Sequence, residues 1–253
     1  MKSTLLFSLF VILVACSCFQ IITCDPHHPN EFGRKSLYHD KTVINCAHHG
    51  RSLLQHSCVL APTAVEGPYY IPGDLERSDI SESKPGIPLD ITIGLVNAGN
   101  CTPVGNAVVH VWQCDADGEY SGFDSSIPLP RHPLVRLPPV NDKRYLRGFQ
   151  ITDHEGMVQF TSIVPGWYAG RTMHIHLEVN LGNTVVHIGQ LYFEEQFSKM
   201  IEQVEPYVRN INERMTNKQD IHYLKEGGEQ TTLKLSGDIE NGFKLKVILG
   251  IRV

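Results

Sequence analysis

Met173-His174-Ile175-His176-Leu177-Glu178-Val179 is the stretch on which the fold turns. Apolar residues at 173, 175, 177 and 179 alternate with polar ones at 174, 176 and 178. A period of two is that of a β-strand, whose successive side chains leave on opposite faces. One face is built for a core, and the other carries two imidazoles and a carboxylate. The sequence on either side supplies further strands. Thr184 to Phe193 reads as the next one. The period then changes: Phe193, Phe197, Met200, Ile201 and Val204 share one helical face, and Pro206 is expected to end that helix.

On the N-terminal side Leu89, Ile91, Ile93 and Leu95 alternate with Asp90, Thr92 and Gly94, the pattern of a half-buried strand. Asn106 to Gln113 (NAVVHVWQ) is β-branched enough to be buried on both faces. Short strands are expected near Gly148–Thr152 and Met157–Thr161, and two more near Thr231–Leu235 and Phe243–Val253. Many short strands with one helix predict an all-β protein, a β-sandwich or barrel. Residues 114 to 147 hold many Asp, Gly, Ser, Pro and Arg residues, the composition of a long loop of the kind that carries function. Gly67-Pro68-Tyr69-Tyr70-Ile71-Pro72-Gly73 is turn-rich and reads as an ordered loop.

The chain has 253 residues and a net charge of −5, which suits one large globular domain with short extensions. With no basic cluster, nothing favours a nucleic-acid partner. Lys2 precedes an apolar run from Leu5 to Ala15, followed by small residues and cysteines. This is the form of a secretory signal peptide, and the run is too short to span a bilayer comfortably. We therefore expect a signal segment over 1–24, an N-terminal extension over 25–62 and a β-sandwich domain over 63–253, in a secreted protein with no membrane span when mature. Cys46, Cys58, Cys101 and Cys114 then form an even set in an oxidising compartment, suggesting two disulfides. Proximity favours Cys46–Cys58 and Cys101–Cys114. Asn100-Cys101-Thr102 is a glycosylation sequon, usable if it lies at the surface.

His174 and His176 lie two residues apart on one strand face, so their Cα atoms are roughly 6.6–6.8 Å apart. Two imidazoles so placed can reach one metal ion, although an H-x-H pair alone is more often an ordinary strand pair. Its neighbours add weight. Tyr168 follows the turn Pro165-Gly166-Trp167, Arg171 precedes His174 by three residues, and Tyr120 sits at the exit of a buried strand.

Taken with Gly67-Pro68-Tyr69-Tyr70, Cys101-Thr102-Pro103, Asp115 to Gly122 (DADGEYSG), Arg147 to Asp153 (RGFQITD) and Pro165 to His176 (PGWYAGRTMHIH), the sequence resembles the intradiol ring-cleavage dioxygenases from Gly67 to about Asp220. The resemblance implies a β-sandwich with long active-site loops. It also implies one non-haem iron(III) held by Tyr120, Tyr168, His174 and His176. Two phenolates suit a ferric ion, whereas a set of two histidines and one carboxylate would favour iron(II). The implied substrates are a catechol and dioxygen, and the implied product is a cis,cis-muconate. Tyr168 is implied to leave the metal and take a substrate proton. Arg171 is implied to stabilise charge developing on the ring, with Gln190 holding it. Tyr69 and Tyr70 are candidates for the pocket mouth.

The sequence before Gly67 is too short and too aperiodic for the helical dimerisation segment of the bacterial enzymes, so we expect a monomer. The alternative, a secreted β-sandwich binding protein without catalysis, would be expected to have lost at least one of the four ligands. An extradiol enzyme or a copper oxidase would want carboxylate or histidine-only sets.

Overall fold

The computed structural model describes residues 43–45, 57–73, 75–126 and 135–253. The expected signal segment and the cysteine pair 46–58 fall outside the described side chains. Two sheets face each other. The first joins β1 (Val43–Asn45), β2 (Ser57–Leu60), β3 (Pro88–Asn97), β6 (Met157–Ile163), β10 (Ser236–Asp238) and β11 (Gly242–Ile251), with β11 between β2 and β3 and with β6 at the far edge. The second has the order β5 (Arg147–Ile151), β4 (Ala107–Trp112), β7 (His174–Leu181), β8 (Thr184–Phe193), β9 (Thr232–Leu233). The expected all-β sandwich is therefore what forms.

The alternation read in the sequence is what joins the sheets. Leu89, Ile91, Ile93 and Leu95 of β3 and Leu245, Val247, Leu249 and Ile251 of β11 meet Val109 and Val111 of β4 and Met173, Ile175, Leu177 and Val179 around β7 in one core. Each such side chain contributes about 1.5–3 kcal/mol when removed from water. His174, His176 and Glu178 leave the other face of β7, yet they too are buried. The loops after β4 and β6 cover that face, and this second layer builds the site.

Three sequence expectations need correction. The helix is shorter than predicted: α1 spans Glu195–Ile201. Phe193 ends β8, and the bonds Gln203 N to Met200 O and Val204 N to Ile201 O tighten the chain into i→i+3 turns before Pro206 is reached. Met200, expected on the apolar face, is turned outward, while Ile201 is fully buried. There is also a second short helix, α2 (Ile221–Lys225). Finally, Cys101 does not pair with Cys114. Cys101 is disulfide-bonded, but Cys114 is a buried free thiol. The strand β4 lies between the two; five steps of ~3.4 Å separate its ends by roughly 17 Å, far beyond disulfide reach. Among the described residues no helix is long and apolar enough to cross a membrane.

Candidate metal centre

The central strand β7 is paired on both edges, with Trp112 of β4 opposite His176 and with Tyr192 and Gln190 of β8 opposite His174 and His176. That pairing holds both imidazoles rigidly. Their Nε2 atoms are 3.1 Å apart. His174 Nδ1 lies 2.6 Å from the Thr172 carbonyl. A carbonyl only accepts, so Nδ1 carries the proton and Nε2 offers its lone pair inward. The His176 ring stacks on Trp112, with centroids 4.8 Å apart and planes 5° apart. Its Nδ1 is buried with no hydrogen-bond partner among the described residues. Gly67 passes tightly over the same ring: a Cβ there would sit 3.2 Å from His176 Cε1.

Tyr120 arrives on a tight turn. Asp115 Oδ1 accepts from the amides of Asp117 (3.1 Å) and Glu119 (2.9 Å). Gly118 at φ +86° lets the turn approach Trp167, where a Cβ would come within 2.1 Å of the carbonyl oxygen. The Gly166 amide donates to the Asp115 carbonyl at 3.0 Å, which stitches this loop to the Pro165–Tyr168 turn. Arg147 holds Ser121 and lies over the Tyr120 ring, 5.6 Å from its centroid. The Tyr120 hydroxyl is 3.5 Å from His174 Nε2. Tyr168 meets Tyr120 edge-on at 5.6 Å and His174 at 5.7 Å between centroids. The four expected ligands thus converge, although Tyr120 and His174 are 54 residues apart.

Arg171 is nearly fully buried beside them. Its Nε donates to Asp220 Oδ2 (2.8 Å), Nη2 to Gln190 Oε1 and the Tyr192 hydroxyl (3.3 Å), and Nη1 to the Tyr168 hydroxyl (3.3 Å). Gln190 is where the sequence placed it. Tyr69 stacks on Tyr120 at 4.5 Å and stands edge-on to Tyr168 at 5.5 Å, so it belongs to the centre. Tyr70 points elsewhere: its hydroxyl donates to Glu178 at 3.1 Å and its ring abuts Trp112. Sequence reasoning did not single out Trp112, Tyr192 or Asp220. Asp220 just before Ile221-His222-Tyr223 carries a helix N-cap signal, but nothing local in it points to Arg171.

The electrostatics favour a cation. Burial, with Arg171 adding to it, lowers His174 to about 3, and burial with His174 beside it lowers His176 well below the ordinary range. Both rings are therefore neutral donors. Burial raises the Tyr120 phenol well above its usual value and raises Tyr168 as well, the latter partly offset by Arg171. Two phenols whose ionisation burial disfavours, beside two neutral imidazoles whose Nε2 atoms face one another, fit a metal ion that supplies the missing positive charge. Burial works against the Asp220 carboxylate, but Arg171 and the Thr172 amide outweigh it and hold its pKa below the usual range. Among the described residues no three His, Cys, Asp or Glu side chains converge, and the side chains that stand beside the histidine pair are Tyr120 and Tyr168.

Comparison with known proteins agrees with this geometry. Residues 65–232 match the family described as "Dioxygenase". The chain is 25% identical over 173 residues to a chlorocatechol 1,2-dioxygenase of Rhodococcus opacus, covering 61% of this chain and 62% of that one. Over 112 residues it is 33% identical to catechol 1,2-dioxygenase 2 of Acinetobacter lwoffii, covering 43% of this chain and 35% of that one. It spans about three-fifths or less of these curated relatives. The solved structure of an intradiol ring-cleavage dioxygenase from Tetranychus urticae superposes with a TM-score of 0.72 at 35% identity, over 77% of this chain and 95% of that one. The chain belongs to the intradiol ring-cleavage dioxygenase family.

Proposed function

We propose that this protein is a secreted, monomeric iron(III) enzyme that opens catechol rings between the two hydroxyl-bearing carbons, using dioxygen, to give cis,cis-muconates. Its physiological role in this reading is to degrade or detoxify phenolics. Tyr120, Tyr168, His174 and His176 would hold the metal. Bound there, a ferric ion supplies a Lewis-acidic centre that draws electron density from a catecholate. The observation that carries the proposal is the convergence of two neutral imidazole nitrogens, 3.1 Å apart, with two buried phenols that need a cation to ionise.

The chain's own residues do the rest. Tyr168, as a phenolate, is the proton acceptor for one substrate hydroxyl, because its ring stands edge-on to His174 and its oxygen faces Arg171 Nη1. Arg171 presents Nη1 to the space beside Tyr168, where it stabilises negative charge developing on the ring. Tyr69 gives a flat apolar wall against both tyrosines. Burial keeps water from the reacting carbons. The test is product analysis on iron-loaded protein given catechol. A muconic acid is expected; a yellow muconic semialdehyde, or no ring opening with iron bound, would reject the proposal.

A further inference from the structure

Arg171 has five N–H donors in a fixed fork. One on Nε and two on Nη2 go to Asp220, Gln190 and Tyr192, and one on Nη1 goes to Tyr168. Among the described residues a single Nη1 donor is left. The guanidinium is therefore gripped from behind, and only its Nη1 edge is available to a reaction. Gln190 grips one corner, and Asp220 grips the other with a buried carboxylate whose two oxygens are both occupied. Oδ2 takes Arg171 Nε and the Thr172 amide (3.0 Å), while Oδ1 takes the amides of His222 (2.8 Å) and Tyr223 (3.3 Å) at the start of α2.

The grip continues beyond α2. His222 Nδ1 lies 2.8 Å from Glu226 Oε1, and Glu226 Oε2 accepts the Val65 amide at 3.2 Å. The Val65 carbonyl in turn accepts from Gln190 Nε2 at 3.1 Å, and Gln190 holds Arg171. Arg171, Asp220, α2, Glu226, Val65 and Gln190 thus form a closed ring of hydrogen bonds. It ties the segment before Gly67 to the far side of the site.

We propose that Asp220 is a positioning residue that sets the attitude of the Arg171 guanidinium, and that α2 and Glu226 brace it. The inference rests on the catalytic role proposed for Arg171. Asp220 does not touch the metal donors; it acts through the arginine. Removing an outer partner of this kind typically costs 10–100-fold.

The test uses full-length, iron-loaded protein. Asp220→Asn keeps a good N-cap for α2 and removes the charge that faces Nε. It is expected to hold as much iron as wild type and to lose about 10–100-fold in kcat per iron. Its tyrosinate-to-iron visible band is expected to move, because Nη1 is no longer held against the Tyr168 hydroxyl. Since Asp220 acts through Arg171, the double variant Arg171→Ala/Asp220→Asn is expected to be no slower than Arg171→Ala alone. A wild-type band and rate in Asp220→Asn, or a double variant that multiplies the two losses, would overturn the proposal. Should Asp220→Asn fail to fold, Glu226→Ala decides it: a several-fold lower kcat with iron retained supports the brace, and a wild-type kcat refutes it. If wild-type protein binds iron but cleaves no catechol, the function is wrong, and the band shift in Asp220→Asn still judges Asp220.

Discussion

His174 and His176 face one another across 3.1 Å between their Nε2 atoms, and His174 is locked by its Nδ1 bond to the Thr172 carbonyl. Two unprotonated nitrogens this close repel unless a proton or a metal lies between them. Burial disfavours a charged ring here, so the gap suits either the Nε2–H of a neutral His176 donated to His174 or a metal ion that takes both lone pairs. We expect purified protein reconstituted with ferrous salt in air to hold one iron per chain and to absorb broadly in the visible range. His176→Ala should abolish both. Elemental analysis with an absorbance spectrum checks this, and full occupancy by zinc or copper with no visible band would contradict it.

Arg171→Ala is expected to keep iron and lose turnover. If Arg171 stabilises developing charge as one preorganised donor does, kcat should fall about 10²–10³-fold. Steady-state kinetics per bound iron is the measurement. Unchanged kcat at normal iron content would remove Arg171 from the reaction.

The two tyrosines should behave differently. Tyr120 is pinned by the Asp115 turn and by Arg147, so it should stay bound throughout, and Tyr120→Phe should weaken ferric binding and bleach the protein. Tyr168 carries the Arg171 contact and is proposed to accept a substrate proton, so Tyr168→Phe should keep some iron but form the substrate complex slowly. Stopped-flow absorbance on both variants separates the roles. Fast complex formation in Tyr168→Phe, with full colour in Tyr120→Phe, would reverse the assignment.

His187 of β8 lies outside this centre and should govern part of the acid sensitivity. It is buried, and burial lowers its pKa from 6.5 to about 4. Between those values the unfolded chain binds the extra proton, so stability rises with pH and is lost as pH falls toward 4. From pH 7 to pH 5 this one group should cost about 2 kcal/mol. Urea midpoints of wild type and His187→Leu at the two pH values provide the check; an equal loss in both would show that His187 is not responsible.

The sequence by itself determined strands β3 to β9 and β11 and the residue types of the centre, but not β1, β2 or β10. Alternation over 173–179 is a local property, because a pleated strand sorts neighbours onto opposite faces whatever surrounds it. The β7 core face and the His174–His176 pair were therefore legible. Tyr120, Tyr168, Arg171 and Gln190 were legible as a pattern resembling one family, without a distance between them. The length of α1 was not legible, since the same apolar spacing fits a longer helix and only the packing of Ile201 and the exposure of Met200 settle where it stops. Nor was the state of Cys114, which proximity in sequence paired with Cys101 while β4 holds the two apart. Above all, only the tertiary structure decided that Asp220 stands behind Arg171, 49 residues away in sequence. A short local motif can announce a helix cap, but which buried cation shares its carboxylate is set by how loops close over the sheet, and that depends on the packing of the whole sandwich.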